Sequence, residues 1–70
     1  MLPLWEYGFA YYSQKDGILP DIKTRLIEVE AGPKVRQFFV EAGKQGWEFC
    51  GTMADPSGNF ETTLVFKRAL

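Results

Sequence analysis

The chain has 70 residues, a formal charge of −1 from 8 basic and 9 acidic side chains, one cysteine and no histidine. This length predicts one domain over residues 1–70, near the lower size limit at which a hydrophobic core is stable alone. One thiol excludes an internal disulfide and leaves almost no ligands for structural zinc, and the balanced charge argues against a duplex nucleic-acid binder.

The N-terminal sequence MLPLWEYGF lacks the basic start of a signal peptide, and no apolar segment approaches the length of a membrane span. We therefore expect a cytoplasmic protein that contacts no membrane. No residue pattern points to a cofactor or a metal ion, and we expect neither.

The first predicted element is a strand over residues 4–13, because large aromatic side chains alternate along it at Trp5, Tyr7, Phe9 and Tyr11. The opposite side of the strand carries small residues, among them Gly8 and Ala10. Small residues on a sheet face predict the close approach of another element.

Residues 14–21 contain Asp-Gly and Leu-Pro, which are loop signals, and the segment IKTRLIEVE at 22–30 alternates again. This pattern predicts a second strand over 22–30, antiparallel to the first and joined to it by a long hairpin loop.

The period changes to that of a helix over residues 32–46. Gly32 suits the N-cap, Pro33 the first helical position and Gly46 the residue after the C-cap. Gly43 predicts a close approach of the helix to the sheet. The predicted buried stripe consists of Ala31, Val35, Phe38, Phe39 and Ala42.

Two further strands are predicted over residues 47–54 and 59–69, joined by a type I turn and glycine bulge at DPSG, residues 55–58. The predicted fold is α+β, in the order β-β-α-β-β. Its four-stranded, mainly antiparallel sheet carries one helix on one face, which leaves the other face exposed or paired with a second subunit.

The opening WEY, the helix end EAGKQGWEF and the final LVFKRAL together resemble the DUF4177 family of small domains of uncharacterised function. The matching residues are Gly43, Gly46, Trp47 and Glu48 in the centre, and Phe66, Lys67 and Arg68 at the end. The chain departs from the family at residues 13–30. The resemblance implies a sheet-and-helix fold of bacterial or phage type that tends to oligomerise, and it implies no activity.

Catalytic signals are weak. The chain lacks histidine, the usual general base near neutral pH, and nothing near Cys50 in the sequence would stabilise a thiolate, so a buried or half-buried structural cysteine is expected. Glu6 and Glu48 could form an acid–base pair, but salt bridges to Lys67 or Arg68 are the favoured interpretation. An enzyme using carboxylates ranks third among the functions.

The aromatic content, 16% of the chain, exceeds what one thin sheet and one helix can bury. The favoured function is therefore a non-catalytic, oligomeric binding or adaptor module that acts through an aromatic sheet surface and a subunit interface. The alternative is a protein that binds a small, anionic, nucleotide-like ligand between subunits. Candidate binding residues are Trp5, Tyr7, Tyr11, Tyr12, Arg25, Trp47, Lys67 and Arg68, and candidate interface residues are Val40 and Phe9.

Overall fold

The computed structural model describes residues 4–32, 34–54, 58 and 60–70. Its elements, in chain order, are β1 (Trp5–Ser13), β2 (Gly17–Pro20), a 3-10 helix (Arg25–Glu28), α1 (Val35–Lys44), β3 (Glu48–Met53) and β4 (Thr62–Ala69).

The four strands form one antiparallel sheet in the order β2-β1-β4-β3. The longest pairing joins β1 to β4, from Trp5 opposite Ala69 to Tyr12 opposite Thr62. The edge strand β3 follows β4 with a register shift between Phe49 and Gly51. This arrangement confirms the predicted α+β fold, its β-β-α-β-β order and its antiparallel sheet.

The inner face of the sheet is the side on which both helices pack. It contributes the buried residues Ala10, Leu64 and Phe66, which meet Phe38 and Ala42 of α1 in one core. Burial of these apolar surfaces is the main driving force for the fold, at about 25 cal/mol for each Å² removed from water.

Gly8, in the middle of β1, is where the 3-10 helix and the sheet come closest. A Cβ atom added to Gly8 would lie 2.7 Å from Cβ of Leu26 and 3.1 Å from the ring of Trp47. The predicted close approach at the small-residue side of the first strand is therefore confirmed.

The second strand lies earlier in the chain than predicted. β2 is Gly17–Pro20, reached from β1 by a tight turn, and residues 22–30 contain the 3-10 helix in place of a strand. The prediction of a strand and a long hairpin loop here was wrong. The buried side chains of this segment, Leu26 and Val29, are three residues apart, which is the period of a 3-10 helix and not of a strand.

Thr24 fixes the start of that 3-10 helix. Its hydroxyl donates to the carbonyl of Asp21 at 3.2 Å and accepts from the backbone N–H of Phe9 at 3.4 Å. These two bonds join the segment to β1, so its backbone groups are satisfied without forming a strand.

The helix α1 begins later than predicted and ends as predicted. Lys34 is its N-cap, while Gly32 pairs with Ile18 in an isolated bridge at the edge of β2, so the assignment of Gly32 as N-cap was wrong. Pro33 lies outside the described residues. Gly46 has φ +88°, the left-handed conformation expected after the C-cap.

The predicted buried stripe of the helix is correct only in its second half. Phe38 and Ala42 are buried and Phe39 is half-buried against the core, whereas Ala31 and Val35 are exposed. Ala31 precedes the helix, which starts at Val35, so Ala31 does not belong to its buried stripe.

The predicted turn at 55–58 lies outside the described residues except for Gly58. Gly58 has φ +75°, the left-handed conformation that a glycine bulge requires.

Candidate functional site

The candidate site is the outer face of the sheet, the side opposite both helices. Alternation along β1 places its four aromatic residues there, and the register adds their β4 neighbours. The two rows of this face are Trp5, Tyr7, Phe9 and Tyr11 on β1, and Lys67, Val65 and Thr63 on β4. Glu48 lies opposite Lys67 and extends the face onto β3.

One end of the outer face projects two large aromatic side chains into solvent. Trp5 is 40% exposed and Tyr7 is 53% exposed. The ammonium of Lys67 lies 4.5 Å from the centroid of the Trp5 ring, a distance at which a cation is attracted by the face of an indole. Because Glu48 lies opposite Lys67 on the same face, this end is aromatic and carries one charge of each sign.

An open, largely apolar pocket with a volume of about 500 Å³ lies beside Tyr11 at the β2 edge of the sheet. It lies where residues 19–31 fold around the β2 edge. Its apolar lining includes Tyr11, Leu19, Pro20, Ile22, Ile27 and Phe60. The rings of Tyr11 and Phe60 stack with centroids 5.0 Å apart, and Asp21 and Glu30 also line the pocket.

Three of the predicted binding residues lie on the inner side of the sheet. Tyr12 packs against the core, Trp47 is buried, and Arg68 lies opposite Glu6 in the register. They cannot share a surface with Trp5, Tyr7, Tyr11 and Lys67, so the eight predicted residues do not form one site. Arg25 is exposed on the 3-10 helix.

Arg68 is fully engaged in holding the C-terminal end of the sheet to the end of α1. Its guanidinium donates to Oε1 of Glu6 at 2.7 Å and to the carbonyl of Gln45 at 3.2 Å, and it lies 4.3 Å from the ring centroid of Trp47. The side chains of Arg68 and Glu6 are each 20% exposed. Arg68 therefore acts as a structural clamp.

The two candidate carboxylates do not form an acid–base pair. Glu6 lies opposite Arg68 and Glu48 lies opposite Lys67, and these neighbouring β4 residues point to opposite faces of the sheet. The predicted salt bridge is confirmed for Glu6 with Arg68. Among the described residues Glu48 has no ion pair within 4.0 Å.

Cys50 is exposed on the edge strand β3, so the expectation of a buried or half-buried cysteine was wrong. The register shift between Phe49 and Gly51 explains this position, because the extra residue of a bulge leaves the regular pairing of the two strands.

The two predicted interface residues lie on different surfaces. Phe9 is half-buried on the outer face between Tyr7 and Tyr11. Val40 is 51% exposed on α1, which packs on the inner face. One flat interface cannot include both residues.

The described ranges contain no helix that is long and apolar enough to cross a membrane. In the same ranges, no three cysteine, aspartate or glutamate side chains cluster as ligands of a metal ion would.

A scan against protein-family models, a search of curated proteins and a search of solved structures each gave no match to this chain. The resemblance to the DUF4177 family therefore stays a prediction.

Sequence reasoning missed the apolar pocket. Leu19, Pro20, Ile22 and Ile27 were assigned to a loop and to a strand, so they could not be placed beside Tyr11. The sequence alone offered no decisive signal, because the alternation of residues 22–30 fits a strand and tertiary contacts such as Thr24 with Phe9 decide for the 3-10 helix.

Proposed function

We propose that the protein is a non-catalytic, oligomeric binding module whose working surface is the outer face of the sheet. The observation that supports this most is the exposure of Trp5 and Tyr7 on a sheet face that neither helix covers. Aromatic side chains are enriched in the buried centres of protein interfaces, where they contribute large contact areas.

A subunit interface explains this surface better than a nucleotide-like ligand does. Of the predicted cationic residues, Arg68 already has its carboxylate and carbonyl partners, and Lys67 alone shares the face with Trp5 and Tyr7. A phosphorylated ligand would meet one ammonium there, with the carboxylate of Glu48 opposite it. A cytoplasmic location and the kinship with DUF4177 domains form part of the same proposal.

The proposal is tested by native mass spectrometry and sedimentation velocity over a series of protein concentrations. We expect the wild-type chain to form a dimer or higher oligomer and the Tyr7→Glu variant to be monomeric, because burying a carboxylate in the interface is costly. Val40→Glu is the matched control, since Val40 is exposed to the same degree on α1. An oligomer that survives Tyr7→Glu but dissociates in Val40→Glu would refute the proposal.

A further inference from the structure

We infer that the apolar pocket at the β2 edge binds a small organic cation, a molecule with an apolar body and an ammonium group. Neither Trp5 nor Tyr7 lines this pocket, so the inference adds a ligand site to the proposed function and does not depend on it. Three features support the inference: the exposed apolar side chains of the pocket, the sign of the charges in its lining and a neighbouring acidic pocket.

The apolar pocket leaves large apolar side chains in contact with water. Ile22 is 78% exposed and Ile27 is 46% exposed, and both line the pocket. The stacked rings of Tyr11 and Phe60 add aromatic surface to the same lining. Removing such surface from water is favourable, and the volume of about 500 Å³ lies in the range of small-ligand sites. A ligand with an aromatic or branched apolar body therefore fits the pocket.

The charged residues of the lining determine which apolar ligand the pocket favours. Among its described lining residues, Asp21 and Glu30 are acidic and none is basic. Within the described chain, neither residue has an ion pair within 4.0 Å. Their negative charges act over about 8 Å at physiological ionic strength, so they attract an ammonium in the pocket whichever way each side chain points. An apolar anion would be repelled.

A second open pocket adjoins the apolar pocket on the side of α1. Its volume is about 620 Å³, and Glu30 lines both pockets. The second pocket adds Glu28 and Glu41 and one basic residue, Lys34. Glu41 forms an exposed pair with Lys44, so Glu28 and Glu30 supply the unpaired negative charge. Together the two pockets are lined by four of the chain's nine acidic residues but by one of its eight basic residues, a charge balance that favours a cation.

An organic cation matches both the apolar and the acidic part of this surface. Its apolar body covers Ile22 and Ile27, and its ammonium lies toward Glu30, the acidic residue that the two pockets share. A neutral apolar ligand would lack the electrostatic attraction, and an ammonium without an apolar body would leave both isoleucines in water.

Methyl NMR tests the inference, because the three isoleucines of the chain divide between the pocket and the core. Ile22 and Ile27 line the pocket, whereas Ile18 is fully buried and does not line it. The probe is phenethylamine, which is a cation at neutral pH. We expect it to shift the Ile22 and Ile27 methyl signals, with a dissociation constant in about the millimolar range that is usual for a ligand of this size, and to leave Ile18 unchanged.

The contribution of charge is measured with two analogues of the probe, neutral phenethyl alcohol and anionic phenylacetate. We expect the amine to bind about two- to five-fold more tightly than the alcohol, as for an exposed pair of opposite charges, and phenylacetate to bind most weakly. Added salt should reduce these differences. Glu30→Gln should weaken binding of the amine and not of the alcohol. Glu48→Gln is the matched control, since Glu48 is also exposed and lines neither pocket.

The inference is overturned if neither pocket methyl signal shifts at probe concentrations up to about 50 mM, well above the expected dissociation constant. Equal affinities for the amine and the alcohol would also overturn it, as would an unchanged ratio of the two in Glu30→Gln. A shift of Ile18 together with the other two would report a change of the whole core and not occupation of the pocket. If Ile22 and Ile27 shift with protein concentration and the amine has no effect, a second copy fills the pocket and the organic cation is excluded.

Discussion

Arg68 shows at the level of one residue how this small fold fixes the end of its sheet. One guanidinium joins the carboxylate of Glu6, the carbonyl of Gln45 at the C-cap of α1 and the face of the Trp47 indole. A planar guanidinium can hydrogen-bond at its edge and stack on its face at the same time, which an ammonium cannot do. Arg68 therefore joins the end of α1 to the two strands β1 and β4.

We expect Arg68→Ala to lower the free energy of unfolding by about 2 kcal/mol, because a charged hydrogen-bond network that is largely removed from solvent is lost. Urea unfolding followed by circular dichroism gives the value. The control is Glu41→Ala, which breaks the exposed Glu41–Lys44 pair at 3.3 Å and should cost less than about 0.5 kcal/mol. Equal losses in the two variants would show that Arg68 has no special structural role.

The 3-10 helix and α1 differ in how closely they pack at the two glycines expected to mark close contacts, Gly8 and Gly43. Gly8 of β1 leaves no room for a side chain between Leu26 and Trp47. Gly43, in the last turn of α1, was expected to mark a similar approach of helix to sheet. Apart from its chain neighbours and the helix's own backbone, however, no described atom lies within 4 Å of the Cβ position there. That expectation was wrong. The packing of the described residues does not explain why this position is a glycine.

The two glycines should respond in opposite directions to alanine. Gly43→Ala should raise the free energy of unfolding by about 0.5–1 kcal/mol, since alanine has the higher helix propensity and meets no neighbour. Gly8→Ala should lower it by about 1–3 kcal/mol, because the added methyl group overpacks the contact with Leu26 and Trp47. Both values follow from the same urea titration. A loss of stability in Gly43→Ala would contradict the open surroundings of this glycine.

Most of the sheet was predictable from sequence, because a long alternating pattern fits a strand and few other structures. The nine residues of β1 and the eight of β4 give clear period-two patterns, and the φ > 0 requirement identified Gly46 as the helix end. The segment 22–30 was not predictable in the same way. Its apparent alternation arises from exposed Ile22 and Ile27 around a 3-10 helix, and only tertiary contacts, such as Thr24 with Phe9, decide between the two structures.

The dependence on tertiary contacts also explains why the candidate site was only partly predicted. Alternation along β1 correctly placed Trp5, Tyr7 and Tyr11 on one face, and the β1–β4 register adds Lys67. Alternation within β1 and β4 already separates Tyr12 from Tyr11 and Arg68 from Lys67, whereas the face of Trp47 depends on how β3 pairs with β4. It also could not reveal the pocket, which is made by a segment whose local structure was mistaken.

At the scale of the whole molecule, the fold is one sheet with helices on a single side. Its shortest dimension is 19 Å, about what two packed layers require. A chain of 70 residues buries a smaller fraction of its surface than a larger domain does. A second copy on the outer face would give the sheet a layer on each side and would bury the aromatic row that one copy leaves exposed.

Association through the outer face predicts that thermal stability depends on protein concentration. If only folded chains associate, the midpoint of unfolding should rise by about 4 °C for each tenfold increase in concentration, given the unfolding entropy typical of this size. Differential scanning calorimetry across several decades of concentration measures the slope. Val40→Glu should retain the slope, and Tyr7→Glu should abolish it and unfold at the temperature of the isolated monomer. A wild-type midpoint that does not change with concentration would show that the folded chain does not self-associate and would refute the proposed oligomer.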